Sequence, residues 1–223
     1  MIAAAFFNDP KFEERSGTGY DAVQRVTDGY RFHDREELLA AQKADPSTLV
    51  LWHVLDTEKN ERHRELLDMA VLFPGSAIAS DAMPWSLPDG SIYTGEAWPL
   101  PEDATSHPCS AGCFTRFLRY WVRERLAVSL LEGIRKCTLI PAEILGPSTP
   151  AMDRKARLQA GADADVVVFD LETLTDRAEF SAMNRPAEGV RHLIVSGQRV
   201  IADGVMDVAA RPGRPVRRPH VSG

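Results

Sequence analysis

An uninterrupted run of apolar side chains at residues 48–55 limits the fold of this chain more than any other feature. The run reads Thr-Leu-Val-Leu-Trp-His-Val-Leu, and polar and apolar positions do not alternate along it. This pattern is typical of a strand that is buried on both faces, and such strands occur mostly in parallel sheets. We therefore expect residues 48–55 to form a strand of a parallel sheet that is covered by helices.

A helix and a second strand are expected directly after this run. Thr57 is suited to cap a helix that extends to about residue 71, and the apolar stripe of this helix consists of Leu66, Leu67, Ala70 and Val71. Residues 77–80 then predict a short strand that ends at Asp81. A strand, a helix and a strand over roughly 35 residues make a βαβ unit, which indicates an α/β fold.

The sequence pattern changes near residue 150. Before that point, further helices are predicted at residues 35–44 (capped by Asp34), 114–125 and 130–138 (capped by Ser129). After a linker at residues 147–160, the predicted elements are strands at 164–170, 190–195 and 199–202. We therefore expect an α/β part in residues 1–150 and a small, mostly β part in residues 151–223.

Residues 82–111 predict a long loop between these elements. Prolines interrupt this stretch at positions 84, 88, 99, 101 and 108. Connections in compact domains usually span about 4–6 residues, and much longer ones are usually lids, binding loops or disordered segments. Disordered segments contain few aromatic residues, whereas this one contains Trp85, Tyr93 and Trp98. We therefore expect an ordered lid or binding loop.

Composition argues against several classes of protein. The 223 residues include 26 basic and 32 acidic ones, and the resulting net charge of −6 does not favour a nucleic-acid-binding protein. No apolar stretch of about 18 residues predicts a transmembrane helix, and the N-terminus lacks the basic region of a signal peptide. Three cysteines do not indicate a disulfide framework. We therefore expect a cytoplasmic protein without membrane or nucleic-acid partners.

Asp81 is the strongest candidate for a catalytic residue. It follows a predicted buried strand, at the end where α/β proteins carry their active sites, and it opens the long loop. A carboxylate in this position is able to ligate a metal or to accept a proton from a metal-bound water. The alternative is a structural aspartate that caps the following turn.

Histidines and cysteines supply weaker candidates. His107 is placed to hydrogen-bond a substrate, although local backbone contacts are the more common role of a loop histidine. His53 lies inside the apolar run and is more typical of a core residue than of a metal ligand. Cys109 and Cys113 form a single C-x₃-C pair, whereas a zinc site needs three or four ligands. No His-x-His, Cys-x-x-Cys or His-Glu-x-x-His motif is present.

Several motifs along the chain carry a resemblance to a known family. They are Ala79-Ser80-Asp81, His107-Pro108 with Gly112 and Phe114, Ser-Leu-Leu-Glu-Gly-Ile-Arg-Lys-Cys-Thr at 129–138, Leu-Gln-Ala-Gly-Ala-Asp-Ala-Asp-Val-Val-Val-Phe-Asp at 158–170, and Arg211-Pro212-Gly213-Arg214. In this order they resemble the C-terminal half of the amidohydrolase superfamily, and most closely its D-aminoacylase (N-acyl-D-amino-acid deacylase) branch. The resemblance covers about residues 48–218.

This resemblance implies a fold and an activity. Residues 1–150 would be the C-terminal part of a (β/α)₈ TIM-type barrel, and residues 151–223 would supply strands of a small composite β-sandwich. The enzyme would be a zinc-dependent hydrolase of non-peptide C–N bonds that deacylates N-acyl-D-amino acids. Asp81 would be a metal ligand and would carry the proton from the attacking water to the leaving amine. His107 and Cys109 would lie in the substrate-binding loop.

The chain departs from the family pattern in two respects. The other metal ligands of the family, which include a His-x-His pair and a cysteine or carbamylated lysine, are not recognisable before Asp81. Members of this branch usually have an arginine where this chain has Cys109, and cysteine cannot form the bidentate contact of that arginine with the substrate carboxylate. The alternatives are an enzyme completed by an N-terminal partner chain or a homo-oligomer, a truncated or pseudo-enzyme fragment, and a small ligand-binding α/β module.

Overall fold

The computed structural model of the chain describes residues 2–46, 48–57 and 60–218. The chain forms two compact units, which divide between Phe73 and Pro74. The expected boundary near residue 150 lies within the second unit. The assignment of residues 1–150 and 151–223 to two domains with different functions therefore stays a prediction.

The first unit contains a small sheet and several helices among its described residues. Its strands are β1 (Ile2–Ala3), β2 (Val23–Arg25) and β3 (Leu49–Trp52). Its α-helices are α1 (Phe12–Ser16), α2 (Arg35–Ala44) and α3 (Glu61–Val71), and 3₁₀-helices occupy Ala4–Asn8 and Tyr20–Ala22. The side chain of Asp34 caps α2, because it accepts a hydrogen bond from the Glu37 backbone N–H at 2.9 Å. This confirms the cap that was expected there.

Aromatic side chains fill the core of the first unit. The rings of Phe7, Phe12 and Trp52 contact one another, with centroids between 5.0 and 5.7 Å apart. The Tyr20 hydroxyl donates to the Phe7 carbonyl at 3.2 Å, so its polar atom is satisfied inside the core. The other buried members are Ala4, Val23, Phe32, Leu38 and Val50.

The βαβ unit expected at residues 48–81 is not formed, and that prediction is wrong. β3 lies between β1 and β2 and pairs with both in the antiparallel direction. Val50 is fully buried but Leu49 is 37% exposed, so the apolar run is not covered on both faces. Residues 77–80 form no strand. An apolar run indicates that a segment is partly buried. It does not by itself specify which strands pair with that segment or whether they run parallel or antiparallel to it.

The second unit combines helices with a four-stranded antiparallel sheet among the residues described. Its α-helices are α4 (Cys109–Phe117), α5 (Leu130–Cys137) and α6 (Leu139–Leu145), with a π-helix at Leu118–Glu124 and a 3₁₀-helix at Pro150–Arg154. Its strands, in sheet order, are β4 (Val166–Phe169), β5 (Val190–Val195), β6 (Gln198–Ala202) and β7 (Val205–Met206). The Ser129 hydroxyl caps α5 as expected, and the three strands expected after residue 150 are confirmed.

Arginines of the π-helix fasten the helices to the loop that follows β4. Arg123 Nη1 donates to the carbonyls of Leu171 at 2.7 Å and Leu174 at 2.9 Å. Arg119 Nε donates to Asp176 Oδ1 at 2.6 Å, and the Asp176 side chain is only 6% exposed. A Cβ atom on Gly112 would lie 3.0 Å from Asp176 Cβ, so α4 approaches this loop closely because position 112 has no side chain.

Every strand pairing among the described residues is antiparallel. The structure has both α and β content. The barrel portion that the family resemblance implies for residues 1–150 stays a prediction. The longest α-helix of the described residues, α3, has 11 residues. Within the same residues, no helix combines the length and the apolar character that crossing a bilayer requires.

Candidate active site around Asp81

Asp81 lies in a segment without regular secondary structure and has a left-handed backbone conformation. Its φ angle is +49°, and the residue is exposed. Positive φ is uncommon outside glycine, and residues that are held in this region cluster at functional sites. We refer to residues 76–83 as the Asp81 segment. The strand that was expected to end at Asp81 does not form, and the catalytic role of Asp81 stays a prediction.

Lys136 fastens the beginning of the Asp81 segment to α5. Its side chain is 1% exposed, and its Nζ donates to Ser76 Oγ at 2.9 Å. The backbone N–H of Ile78 donates to the Lys136 carbonyl at 2.9 Å. Lys136 belongs to the motif at residues 129–138, but its contact with Ser76 was not predicted from the sequence. The available signal was its position three residues after Gly133, on the buried face of α5.

Two thiols of α4 contact backbone carbonyls of the Asp81 segment. Cys113 Sγ lies 3.5 Å from the Ala79 carbonyl oxygen, and Cys109 Sγ lies 3.7 Å from the Asp81 carbonyl oxygen. Burial raises the pKa of both thiols, and the negative charge of Asp81 adds to this effect at Cys109. Both side chains are therefore neutral S–H groups at neutral pH, and they act as weak donors. The substrate-binding role of Cys109 stays a prediction.

His107 lies beside this cluster and is held by its own loop. Its Nδ1 accepts a hydrogen bond from the Cys109 backbone N–H at 3.1 Å, and its ring packs edge-on against Phe180 at a centroid distance of 5.1 Å. Burial lowers the pKa of His107, although the Asp81 charge acts in the opposite direction. The ring is therefore neutral near pH 7. Because Nδ1 accepts, the proton of the neutral ring lies on Nε2.

Two serines hold the end of the Asp81 segment. The Ser106 hydroxyl donates to the Met83 carbonyl at 3.0 Å, and the Met83 N–H donates to Ser110 Oγ at 3.0 Å. The two hydroxyl oxygens also lie 3.0 Å apart. The sequence analysis missed both serines, because their partner is 23 to 27 residues away and carries no recognisable motif.

The long loop carries backbone hydrogen bonds of its own. Ser86 and Thr105 exchange two backbone bonds of 2.8 Å each, and the Tyr93 N–H donates to the Trp85 carbonyl at 2.8 Å. These bonds agree with the expectation that the loop is ordered. His53 lies in the first unit, where its Nε2 is 2.8 Å from Gln24 Oε1, which agrees with the role of a satisfied structural histidine.

The residues around Asp81 do not form a complete metal site. Within the described ranges, no group of three or more histidine, cysteine, aspartate or glutamate side chains is arranged to hold a metal ion. Zinc requires three or four such ligands. The donor set of the described residues therefore does not fit a complete zinc site. The role of Asp81 as a metal ligand stays a prediction.

The family of the chain follows from comparison with known proteins. A model described as the amidohydrolase family matches residues 1–201. The chain belongs to the amidohydrolase family. N-acyl-D-glutamate deacylase of Alcaligenes xylosoxydans xylosoxydans is 40% identical to it over 119 residues, which are 53% of this chain and 23% of that protein. The N-acyl-D-aspartate deacylase of the same organism is 37% identical over 115 residues, which are 52% of this chain and 22% of that protein.

Solved structures agree with this family. The crystal structure of N-acyl-D-glutamate deacylase from Bordetella bronchiseptica, complexed with zinc and a phosphonate inhibitor, aligns with a TM-score of 0.59 and 25% identity. The alignment covers 92% of this amidohydrolase chain and 39% of that one. A D-aminoacylase structure with 22% identity and a TM-score of 0.55 shows the same fold over 82% of this chain and 35% of that one. The resemblance to the D-aminoacylase branch is thus confirmed, and this chain spans well under half the length of these relatives.

Proposed function

We propose that this chain is the Asp81-bearing part of a metal-dependent amidohydrolase that deacylates N-acyl-D-amino acids. The observation that carries the proposal is the exposed, left-handed Asp81, which side chains of α4 and α5 hold at the start of a long loop. The 40% identity to an N-acyl-D-glutamate deacylase supports the choice of substrate class. The bond that breaks is an amide bond outside a peptide chain.

Asp81 is the proposed general base and general acid of this reaction. Its carboxylate accepts a proton from water while the water oxygen bonds to the amide carbonyl carbon. It then returns this proton to the amine nitrogen while the C–N bond breaks, so the products are a carboxylate and a free amino acid. A carboxylate is able to act first as a base and then as an acid in such a reaction, and His107 lies nearby as a half-buried neutral ring.

His107 is the proposed hydrogen-bond donor to the substrate. Its Nδ1 is occupied by the Cys109 backbone N–H, so the ring orientation is set before a substrate binds. Within the described residues, no acceptor is bonded to its Nε2, and this N–H is available for the oxygen of the substrate amide. A neutral donor of this kind stabilises the negative charge that develops on that oxygen.

The proposal places the remaining metal ligands outside the described residues. One relative is described as a complex with zinc, and a D-aminoacylase is described as having a binuclear metal centre. In this chain, Asp81 is the only predicted ligand, and the described residues contain no complete site. We propose that an N-terminal partner chain or a second copy supplies the other ligands.

A truncated or pseudo-enzyme fragment, which stays inactive even when the other metal ligands are supplied, is the second candidate. The incomplete ligand set among the described residues favours this alternative. The cysteine at position 109 favours it as well, because a thiol cannot replace a bidentate guanidinium as the partner of a substrate carboxylate.

A chimaeric enzyme distinguishes the two candidates. In it, this chain replaces the aligned 39% of the Bordetella bronchiseptica deacylase. Release of free amino acid is measured from N-acetyl-D-glutamate, N-acetyl-D-aspartate and a neutral N-acetyl-D-amino acid, with the L-enantiomers as controls. Hydrolysis of a D-substrate that is lost in Asp81→Asn supports the first candidate. A folded, zinc-loaded chimaera without hydrolysis supports the second, and hydrolysis that survives Asp81→Asn contradicts the role of Asp81.

A further inference from the structure

We infer that Cys113 and Cys109 are positioning residues that set the backbone conformation of Asp81. Their thiols hold the carbonyls of Ala79 and Asp81, at 3.5 and 3.7 Å respectively. The inference deepens the proposed function and rests on it only where Asp81 is taken as the catalytic base. The conformation of Asp81 itself is measurable without any enzymatic activity.

The spacing along α4 explains why both thiols face the Asp81 segment. Cys109 and Cys113 are four residues apart on α4, which places them on one face of the helix with a rise of about 6 Å at 1.5 Å per residue. Ala79 and Asp81 are two residues apart, and two residues of chain span at most about 7 Å. The two carbonyls therefore lie within reach of two thiols on one helix face.

Contacts between side chains and the backbone of the Asp81 segment continue beyond the cysteines. Two residues after Asp81, the Met83 carbonyl accepts from the Ser106 hydroxyl, which precedes Cys109 by three residues. The Met83 N–H donates to Ser110 Oγ, in the first turn of α4. Contacts therefore run antiparallel along the two elements, from Cys113 to Ala79, from Cys109 to Asp81 and from the serines to Met83. We call the side chains of Ser106, Cys109, Ser110 and Cys113 the α4 clasp.

The α4 clasp offsets the cost of the left-handed backbone at Asp81. Non-glycine residues with positive φ persist only when surrounding contacts determine their conformation. Here the carbonyl of Asp81 is held from α4, and the residues on both sides of it are held by Cys113 and by the serines. A backbone that is held on both sides of Asp81 sets the direction of its Cα–Cβ bond, and the side chain stays exposed.

The clasp needs a donor at position 113, and the raised thiol pKa keeps the donor proton in place. Threonine and valine separate this requirement from packing, because they have nearly the same shape and differ by a hydroxyl in place of a methyl group. Cys113→Thr retains a donor for the Ala79 carbonyl. Cys113→Val fills the same space and leaves that carbonyl without its partner.

The test is NMR spectroscopy of the isotope-labelled chain and these two variants. In Cys113→Thr, we expect the backbone couplings and chemical shifts of Asp81, which report positive φ, to stay as in the parent. In Cys113→Val, we expect them to change, and we expect exchange of the Met83 amide to accelerate about two- to tenfold, as for the loss of one hydrogen bond. Thr115→Val is the control: it removes a hydroxyl of α4 that donates to the Gly112 carbonyl rather than to the Asp81 segment, and it should leave both signals unchanged.

The outcomes separate this inference from the proposed function. Equal Asp81 couplings and chemical shifts, together with equal exchange of the Met83 amide, in Cys113→Thr and Cys113→Val would overturn the inference. This holds whatever the chimaera hydrolyses. If Cys113→Val does not fold, Cys109→Ser and Cys109→Ala provide the same comparison at the other thiol. In an active chimaera, Cys113→Val should lower kcat without a change in KM, and Cys113→Thr should restore kcat. A changed Asp81 backbone in a chimaera that never hydrolyses would support the positioning role and contradict the proposed function.

Discussion

At the scale of single residues, Asp81 combines exposure, a left-handed backbone and contacts from remote helices. The Cys109 thiol contacts its backbone carbonyl, and the residue is exposed. The choice between a catalytic aspartate and one that caps the following turn stays open, and the Asp81→Asn variant decides it.

Asp81→Asn should abolish hydrolysis in the chimaera while the fold stays intact. The amide retains the volume of the carboxylate but cannot accept a proton from water, and general acid–base groups contribute roughly 10²–10⁴-fold to rate. The measurement is kcat together with circular dichroism of the variant. Turnover near that of the parent would show that Asp81 has only a structural role.

Cys109→Arg should raise activity on N-acyl-D-amino acids. A guanidinium adds a bidentate contact to the substrate carboxylate, so we expect about a tenfold or larger gain in kcat/KM. The rate on a neutral amide serves as the control and should not rise. No gain in the variant, combined with rapid hydrolysis of a neutral amide by the parent, would contradict the role assigned to position 109.

At the scale of elements, α4 and the π-helix connect the Asp81 segment to the loop that follows β4. Asp176 is the centre of this connection, since it binds Arg119 at 2.6 Å and lies 3.5 Å from Arg116. Burial alone would raise the pKa of Asp176, but the hydrogen bond from Arg119 and the nearby positive charges outweigh it and lower the pKa. The ionised form therefore stabilises the fold.

Asp176→Asn should lower the free energy of unfolding at pH 7 by about 1–3 kcal/mol, the range for a charged hydrogen bond with some exposure to water. A carboxyl whose pKa is lowered by folding contributes stability above its unfolded pKa of about 3.9 and loses it as the pH falls through the folded value. The difference between parent and variant should therefore shrink below about pH 4. Urea unfolding of parent and variant at several pH values measures this difference in the free energy of unfolding.

Glu188→Gln is the matched control for Asp176→Asn. Glu188 also forms an ion pair, with Arg177 in the same unit at 2.6 Å, but the side chains of both members of this pair are more than half exposed. We expect a smaller effect on unfolding, because water screens an exposed pair. Equal destabilisation by the two variants would show that burial of Asp176 does not determine its contribution.

At the scale of the whole molecule, the chain presents a catalytic candidate without the ligands that its family's metal requires. The two compact units each have their own buried side chains, and Asp81 and its contacts all lie in the second. Hydrogen bonds from Ser106, Cys109, Ser110 and Cys113 hold backbone groups of the Asp81 segment.

The chain by itself should therefore bind zinc weakly. One carboxylate supplies too few ligands to displace the water around Zn²⁺, and the described residues add no complete group. Metal analysis after dialysis should find far less than stoichiometric zinc, while the Bordetella bronchiseptica deacylase treated in parallel serves as the positive control. Stoichiometric zinc in this chain would contradict the prediction and would return His53 and His107 to the set of candidate ligands.

Local signals in the sequence determined the caps of α2 and α5 and the strands β5 and β6, whereas the short strand β7 was not predicted. A cap needs only a side chain and a backbone N–H three residues later, and both are adjacent in the chain. The turns at Ser196-Gly197 and Asp203-Gly204 have positive φ at both residues, which is the requirement of a tight hairpin. The strand assignments there were correct because these turns also specify the pairing.

Only the tertiary structure decided the partners of β3 and the surroundings of Asp81. β3 pairs with residues near the N-terminus and with β2, and the resulting sheet is antiparallel rather than parallel. Asp81 meets Cys109 across 28 positions, and Ser76 meets Lys136 across 60. Contacts over such separations depend on how whole elements pack, and no periodicity or turn motif encodes them. The sequence therefore identified the catalytic candidate, whereas the structure showed which side chains hold it.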